Sequence, residues 1–188
     1  GIAIEPQAAG AAGGPLTARG ARTTDAAGRP IPPGARGLSL AAHADLTGLR
    51  PLPPQGVMVL TDVSHPLAGP TGAAVVFGPQ KGLTPADVPV IDAALNRFAA
   101  LVGGDPSASG AGAAGGAGFG LQVWGARLVS GSATIAELLG LRETLGEASI
   151  VVTGEGSYDA QSSAGKAPAH VAGLAESVGI PALLAAGR

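Results

Sequence analysis

The sequence predicts an α/β protein, and three observations predict it. Apolar runs of strand length stand at 57–61, 149–153 and 180–186. Val88, Ile91, Leu95, Phe98 and Val102 recur at three- and four-residue steps, the spacing of one helix face. From Ala148 onward an apolar run, a polar glycine-punctuated loop, a helical pattern and a second apolar run follow one another. That is the layout of a βαβ unit, in which ligands bind beyond the carboxyl ends of the strands.

Bulk properties narrow the function classes. The chain has 188 residues, room for one domain or two small ones. Charged residues are 13 % and the formal net charge is −2, which argues against a nucleic-acid partner, since that would need a basic stripe. With no cysteine there is neither a disulfide framework nor a thiolate metal site. No apolar run approaches the roughly 20 residues of a membrane span. No basic, then apolar, leader opens the chain. The expectation is a cytoplasmic protein that does not enter a membrane. Aromatics are 3 % and glycines number 32, so burial falls to Leu, Val, Ile and Ala, and elements can approach closely.

Residues 1–37 show little periodicity and many turn residues, and read as loop. Within them Asp25–Pro30 reads as a turn between two short strands. A weak amphipathic stretch at 38–52 is ended by Pro51, Pro53 and Pro54. The run 57–61 reads as a buried strand, with Asp62 at its end. Gly78-Pro79-Gln80-Lys81-Gly82 reads as a turn. Thr84, Pro85 and Asp87 then open the clearest helix, as cap, first-turn proline and acidic first turn. Gly103-Gly104-Asp105-Pro106 stops it. The low-complexity stretch 107–120 is either a flexible linker or a tight loop where only glycine lets backbones approach. Residues 121–128 read as a continuing helix. Ser132 or Thr134 caps another through Leu139, and 167–178 is a helix closed by Gly179.

Several side chains are candidates for chemistry. Glu155 and Asp159 lie four apart in the loop after the second strand. Paired carboxylates there can hold Mg²⁺ through oxygen or take a hydroxyl proton, or form a solvated acidic turn. Ser162, Ser163, Gly165 and Lys166 precede a helix, where phosphate is attracted, or are a plain cap with a surface lysine. The spacing is not that of a P-loop, and Ala167 stands where Ser or Thr would be. Asp62 has the positional logic of Glu155, or is an exposed turn former. Gln80 and Lys81 sit where they can reach an anion, or are an ordinary turn. His43, His65 and His170 show no metal-ligand spacing.

Three stretches together resemble one family. They are Thr61-Asp62-Val63 with Pro66-Leu67 and Phe77-Gly78-Pro79-Gln80-Lys81-Gly82; Gly110-Ala111-Gly112-Ala113-Ala114-Gly115-Gly116; and Thr153-Gly154-Glu155-Gly156 with Asp159, Gln161, Ser162, Gly165 and Lys166. In that order they are similar to the two-domain bacterial glycerate kinase family, from about residue 20 to the end. The resemblance implies ATP- and Mg²⁺-dependent phosphorylation of D-glycerate to a phosphoglycerate. It implies a site between two α/β domains, one Rossmann-like and one inserted into it. Residues 1–147 then correspond to the inserted domain, and 148–188 to a partial Rossmann-like βαβ piece, incomplete at its end.

By the same resemblance, Asp62, Glu155, Asp159 and Lys166 take catalytic roles, with Glu155 and Asp159 as metal ligands. Gln80, Lys81, Gly112, Gly115, Gly116, Gly154, Gly156, Ser162, Ser163 and Gly165 line the substrate and phosphate site. The chain departs from the family in places. The family's initial strand and Asp-Ser-x-Lys loop have no counterpart here. Residues 3–12 lack the Ser, Thr, Asn and Asp of a family loop. Ser157 stands for the usual Arg, and His65 for the usual Asn. The alternative expectation is an inactive truncated paralogue or fragment, with a partner chain completing its sheet.

Overall fold

A computed structural model describes residues 12–156 and 167–187. The chain divides into two compact units, Gly1–Leu128 and Val129–Arg188. The elements are α1 (Gly13–Thr17), β1 (Arg22–Thr24), α2 (Ala35–Leu38), β2 (His43–Asp45), β3 (Met58–Thr61), α3 (Ala73–Phe77), α4 (Asp87–Val102), α5 (Ala113–Val123), β4 (Arg127–Ser130), α6 (Gly131–Leu138), α7 (Leu141–Gly146), β5 (Val151–Glu155), α8 (Ala167–Val178) and β6 (Ala182–Ala186). The α/β class is as the sequence implies.

The first unit is organised on α4. Its periodic residues Ile91, Leu95, Phe98 and Val102 are all buried, together with Leu16, Leu38, Leu67 and Phe119 from other elements. The helix starts at Asp87 with Ala86 as its N-cap and no side-chain cap, so Thr84 is not the expected cap. The Thr84 backbone N–H and hydroxyl both donate to the Asp87 carboxylate, at 3.0 and 2.6 Å, rather than the hydroxyl accepting from a helix N–H. Gly103, at φ 72°, closes it in the left-handed conformation that glycine adopts freely.

Residues 12–37 are more ordered than their composition suggests. Leu16 of α1 is buried. Thr24 pairs with His43 as β1 and β2 run antiparallel. The Asp25–Arg29 turn forms, but it joins β1 to an isolated bridge at Pro30 rather than to a second full strand. The 38–52 stretch holds β2 and no helix beyond α2. The strand at 57–61 forms, but Met58 is 53 % and Leu60 47 % exposed, so it is not buried. Nor does 121–128 continue as a helix. α5 stops at Val123, Gly125 turns the chain at φ 105°, and β4 begins at Arg127, whose N–H donates to the Val57 carbonyl. The next helix is capped by Ser130, whose hydroxyl accepts from the Ala133 N–H, and not by Ser132 or Thr134.

In the second unit β5 and β6 pair in parallel, with Val152 opposite Leu183 and Gly154 opposite Ala185, and α8 connects them. This is the expected βαβ unit. Val151, Thr153 and Glu155 are half-buried, whereas Val152 and Gly154 are exposed, so only one side of β5 is covered. Among the described residues no helix is long and apolar enough to cross a membrane.

Candidate functional site

Two of the three site-bearing stretches meet inside the first unit, and glycines make the meeting possible. β3 ends in Thr61, followed by the exposed Asp62. A Cβ on Gly110 would lie 2.9 Å from the Thr61 hydroxyl oxygen, so β3 is packed directly against the start of the glycine-rich stretch. Two residues on, a Cβ on Gly112 would lie 2.3 Å from the Pro66 carbonyl oxygen. There the Gly112 N–H donates to the His65 carbonyl at 2.9 Å. The chain after Asp62 and the glycine-rich stretch are therefore one packed unit. Of the two readings of 107–120, the tight loop is the one observed.

The turn that follows is unusual. Ala114 (φ 51°, ψ 37°), Gly115 (72°, 30°) and Gly116 (98°, 4°) form a left-handed turn before α5 proper. The Gly112 carbonyl accepts from the N–H groups of both Gly115 and Gly116. Ala114 is the one non-glycine residue with positive φ among those described. An L-residue there is strained by its Cβ against the following carbonyl oxygen, and such strain clusters at functional sites.

Lys81 reaches this turn from the other side. Pro79–Lys81 is a single 3₁₀ turn ended by Gly82 at φ 87°. The Lys81 Nζ lies 3.2 Å from where a Cβ on Gly115 would stand, so the ammonium rests against bare backbone. A positive charge beside a glycine backbone is a physical basis for receiving an anionic oxygen. Gln80 is exposed in the same turn. The loop between β3 and α3 is pinned from behind: Gly69 N–H donates to the Asp92 carboxylate of α4 at 2.8 Å, and Leu67 N–H to the Pro106 carbonyl at 2.8 Å.

In the second unit, Gly154 and Glu155 are the last residues of β5, not part of a loop after it, and Gly156 follows. Glu155 is half-buried at the strand's carboxyl end. A Cβ on Gly154 would lie 2.9 Å from the Ala185 carbonyl oxygen, which accounts for glycine there. Asp159, Ser162, Ser163, Gly165 and Lys166 lie outside the described residues, as does Ser157. Among the described residues no three acidic or histidine side chains gather as a metal-binding group. The donor type nonetheless fits Mg²⁺: Glu155 offers hard carboxylate oxygen at a strand's end, the ligand that ion selects.

Gly110 and Ala114 enter the sequence reading only as members of the glycine-rich stretch, with no separate role, and Asp92 does not enter it, although each shapes the site. The density of glycine at 110–120 signals close approach for the first two. Asp92 has no local signal, because its partner Gly69 is distant in the chain. A groove of about 340 Å³ that includes Thr17, Arg22, Thr24 and Ile31 shares no residue with this site.

Comparison with known proteins points one way. A family model described as the glycerate kinase family matches residues 8–188. A glycerate kinase of Haemophilus influenzae is 39 % identical over 93 % of this chain and 48 % of its own length. A glycerate 2-kinase of Escherichia coli is 38 % identical over the same shares, 93 % and 48 %. A crystal structure from Salmonella typhimurium LT2, provisionally named glycerate kinase 2, superposes with a TM-score of 0.71 at 38 % identity, covering 95 % of this chain and 49 % of that one. The chain spans about half the length of these relatives.

Proposed function

Because the chain belongs to the glycerate kinase family, we propose that it carries part of a site for transferring the γ-phosphoryl group of ATP to a hydroxyl of D-glycerate. The observation that supports this most is the meeting of Lys81 with the left-handed turn at Gly115, beside the chain that follows Asp62. In the reaction a bond forms between the glycerate hydroxyl oxygen and the γ-phosphorus. The bond from that phosphorus to the β,γ-bridging oxygen breaks, and ADP leaves with those electrons. The hydroxyl proton passes to a carboxylate. Asp62, Glu155 and Asp159 are the candidates for that base.

Phosphoryl transfer asks chiefly for positioning and for neutralisation of spread negative charge. Lys81 and Lys166 supply positive charge to phosphate or carboxylate oxygens. The backbones of Gly112, Gly115, Gly116, Gly154, Gly156 and Gly165 allow close approach, and Gln80, Ser162 and Ser163 offer polar contacts. Mg²⁺, held through Glu155 and Asp159, would supply further charge neutralisation when bound. Residues 1–147 belong on this reading to an inserted domain, and 148–188 to a Rossmann-like one.

A second reading is favoured by one observation. Ile150, Val152 and Leu183 are 54, 61 and 55 % exposed beside or within a parallel strand pair, and parallel sheets are covered on both faces. On this reading the 188 residues bind ligand weakly, and turnover needs further polypeptide to cover that face. The test is ADP release by the purified chain with ATP, Mg²⁺ and D-glycerate, against Asp62→Asn and Lys81→Met. Turnover lost in both variants supports the first reading. No turnover in the unaltered chain refutes autonomous activity, and turnover that survives both substitutions refutes the site.

A further inference from the structure

We propose that His65 is the positioning residue of the Gly112–Gly116 turn, holding it in register with Lys81; the functional weight of this rests on the kinase reading above. The His65 Nδ1 lies 3.1 Å from the Thr71 carbonyl oxygen. A carbonyl only accepts, so Nδ1 carries the proton and the tautomer is fixed. The ring stands edge-on to Phe77, with centroids 5.2 Å apart and planes at 86°. Thr71 lies just before α3, Phe77 is its last residue, and the Pro79–Lys81 turn follows after Gly78. The imidazole is thus gripped by both ends of the segment that delivers Lys81.

The same residue's backbone holds the other partner. Its carbonyl accepts from the Gly112 N–H at 2.9 Å, and a Cβ on Gly112 would come within 3.0 Å of that oxygen. Gly112 in turn accepts the two N–H groups that close the left-handed turn. One residue therefore links α3 and Lys81, through its ring, to the turn, through its peptide. The far side of the loop has its own anchors at Asp92 and Pro106. Losing the ring leaves those anchors in place but lets the His65 peptide rotate, and the Gly112 contact loosens with it. His65 acts through the turn and is assigned no contact with substrate.

The test is nuclear magnetic resonance on the isotopically labelled chain, with His65→Ala and His65→Asn. Asn suits the comparison because its Nδ2–H stands as far from the backbone as the imidazole Nδ1–H. The unaltered chain at alkaline pH shows the Nδ1–H tautomer at His65. In His65→Ala the Gly112, Gly115 and Gly116 amides exchange about tenfold faster, the scale of one lost hydrogen bond, while α4 is unchanged. His65→Asn restores slow exchange. An Nε2–H tautomer overturns the proposal. So does unchanged Gly112 exchange in His65→Ala, or His65→Asn exchanging as fast as His65→Ala. Where His65→Ala exchanges throughout α4 as well, the tautomer and the Asn variant decide alone. Absence of kinase turnover refutes the functional reading without altering these outcomes.

Discussion

The Lys81 ammonium lies 3.2 Å from the point where a side chain on Gly115 would begin. The two residues are 34 positions apart, and their contact depends on Gly115 having no side chain and a φ of 72°. Gly115→Ala should fail on both counts. The left-handed backbone costs an L-residue about 1–2 kcal/mol, and the methyl group crowds the Lys81 ammonium, which must shift slightly from its place against the bare backbone. A urea titration should show lower stability by about that amount. Binding of inorganic phosphate should weaken as it does in Lys81→Met. Unchanged phosphate binding in Gly115→Ala would separate the turn from the anion site.

Ala114 bears the same strain without glycine's freedom, at φ 51°. Ala114→Gly should relieve about 1–2 kcal/mol of left-handed strain and give back roughly 0.5–1 kcal/mol in backbone entropy. The expected balance is a gain of about 0.5–1 kcal/mol, read as a higher denaturation midpoint. A loss of stability would mean that the Ala114 methyl group makes a packing contribution larger than its strain.

Trp124 closes the first unit at a different point. Its indole Nε1–H donates to the Arg50 carbonyl at 2.6 Å, and the Arg19 guanidinium sits 4.2 Å from its ring centroid. Trp124→Phe removes the donor and weakens the cation–π contact. The expected cost is about 1–2 kcal/mol, visible as a lower thermal midpoint. Arg19→Ala in the Phe background should then cost less than in the unaltered chain, since the pair is already weakened.

The start of α4 should be acid-sensitive. The Thr84 hydroxyl, then the Thr84 backbone N–H, hold the Asp87 carboxyl below its ordinary range. Because the folded value is the lower one, the stabilisation is fully present above the unfolded value. It is lost as pH falls below about 4. Asp25, Asp45 and Asp105 are lowered for the same kind of reason, local hydrogen bonds from Arg29, Thr47 and Ser107. Asp87→Asn should flatten the dependence of α4 amide exchange on pH between about 5 and 3. An unaltered profile would mean that the contact contributes nothing.

α4 was legible because its core face is written in local spacing: Ile91, Leu95, Phe98 and Val102 are all buried. β3, β5 and β6 were legible to within a residue or two from their apolar runs. α1 and β2 were not, since each is three to five residues long and stabilised from afar, as His43 is by Thr24. Of the two short strands expected about the Asp25–Pro30 turn, β1 forms and the other is only a bridge at Pro30. The helix reading of 121–128 runs over the first two residues of β4 because Ala, Leu and Val fit either pattern, and the break at Gly125 shows only in its left-handed φ. In the site, residue types were legible and proximity was not. Nothing local to Gly69 announces Asp92.

The sequence by itself determined the α/β class, the βαβ unit ending in β6, the main helix and the chemistry-bearing residues of a recognisable family pattern, because local periodicity and residue identity are properties of neighbours in the chain. Tertiary structure alone decided that Lys81 meets Gly115, that His65 grips both sides of that meeting, and that Ala114 is held left-handed. The Lys81–Gly115 and His65–Gly112 contacts join segments tens of residues apart, and they depend on where side chains are missing, which only packing reveals.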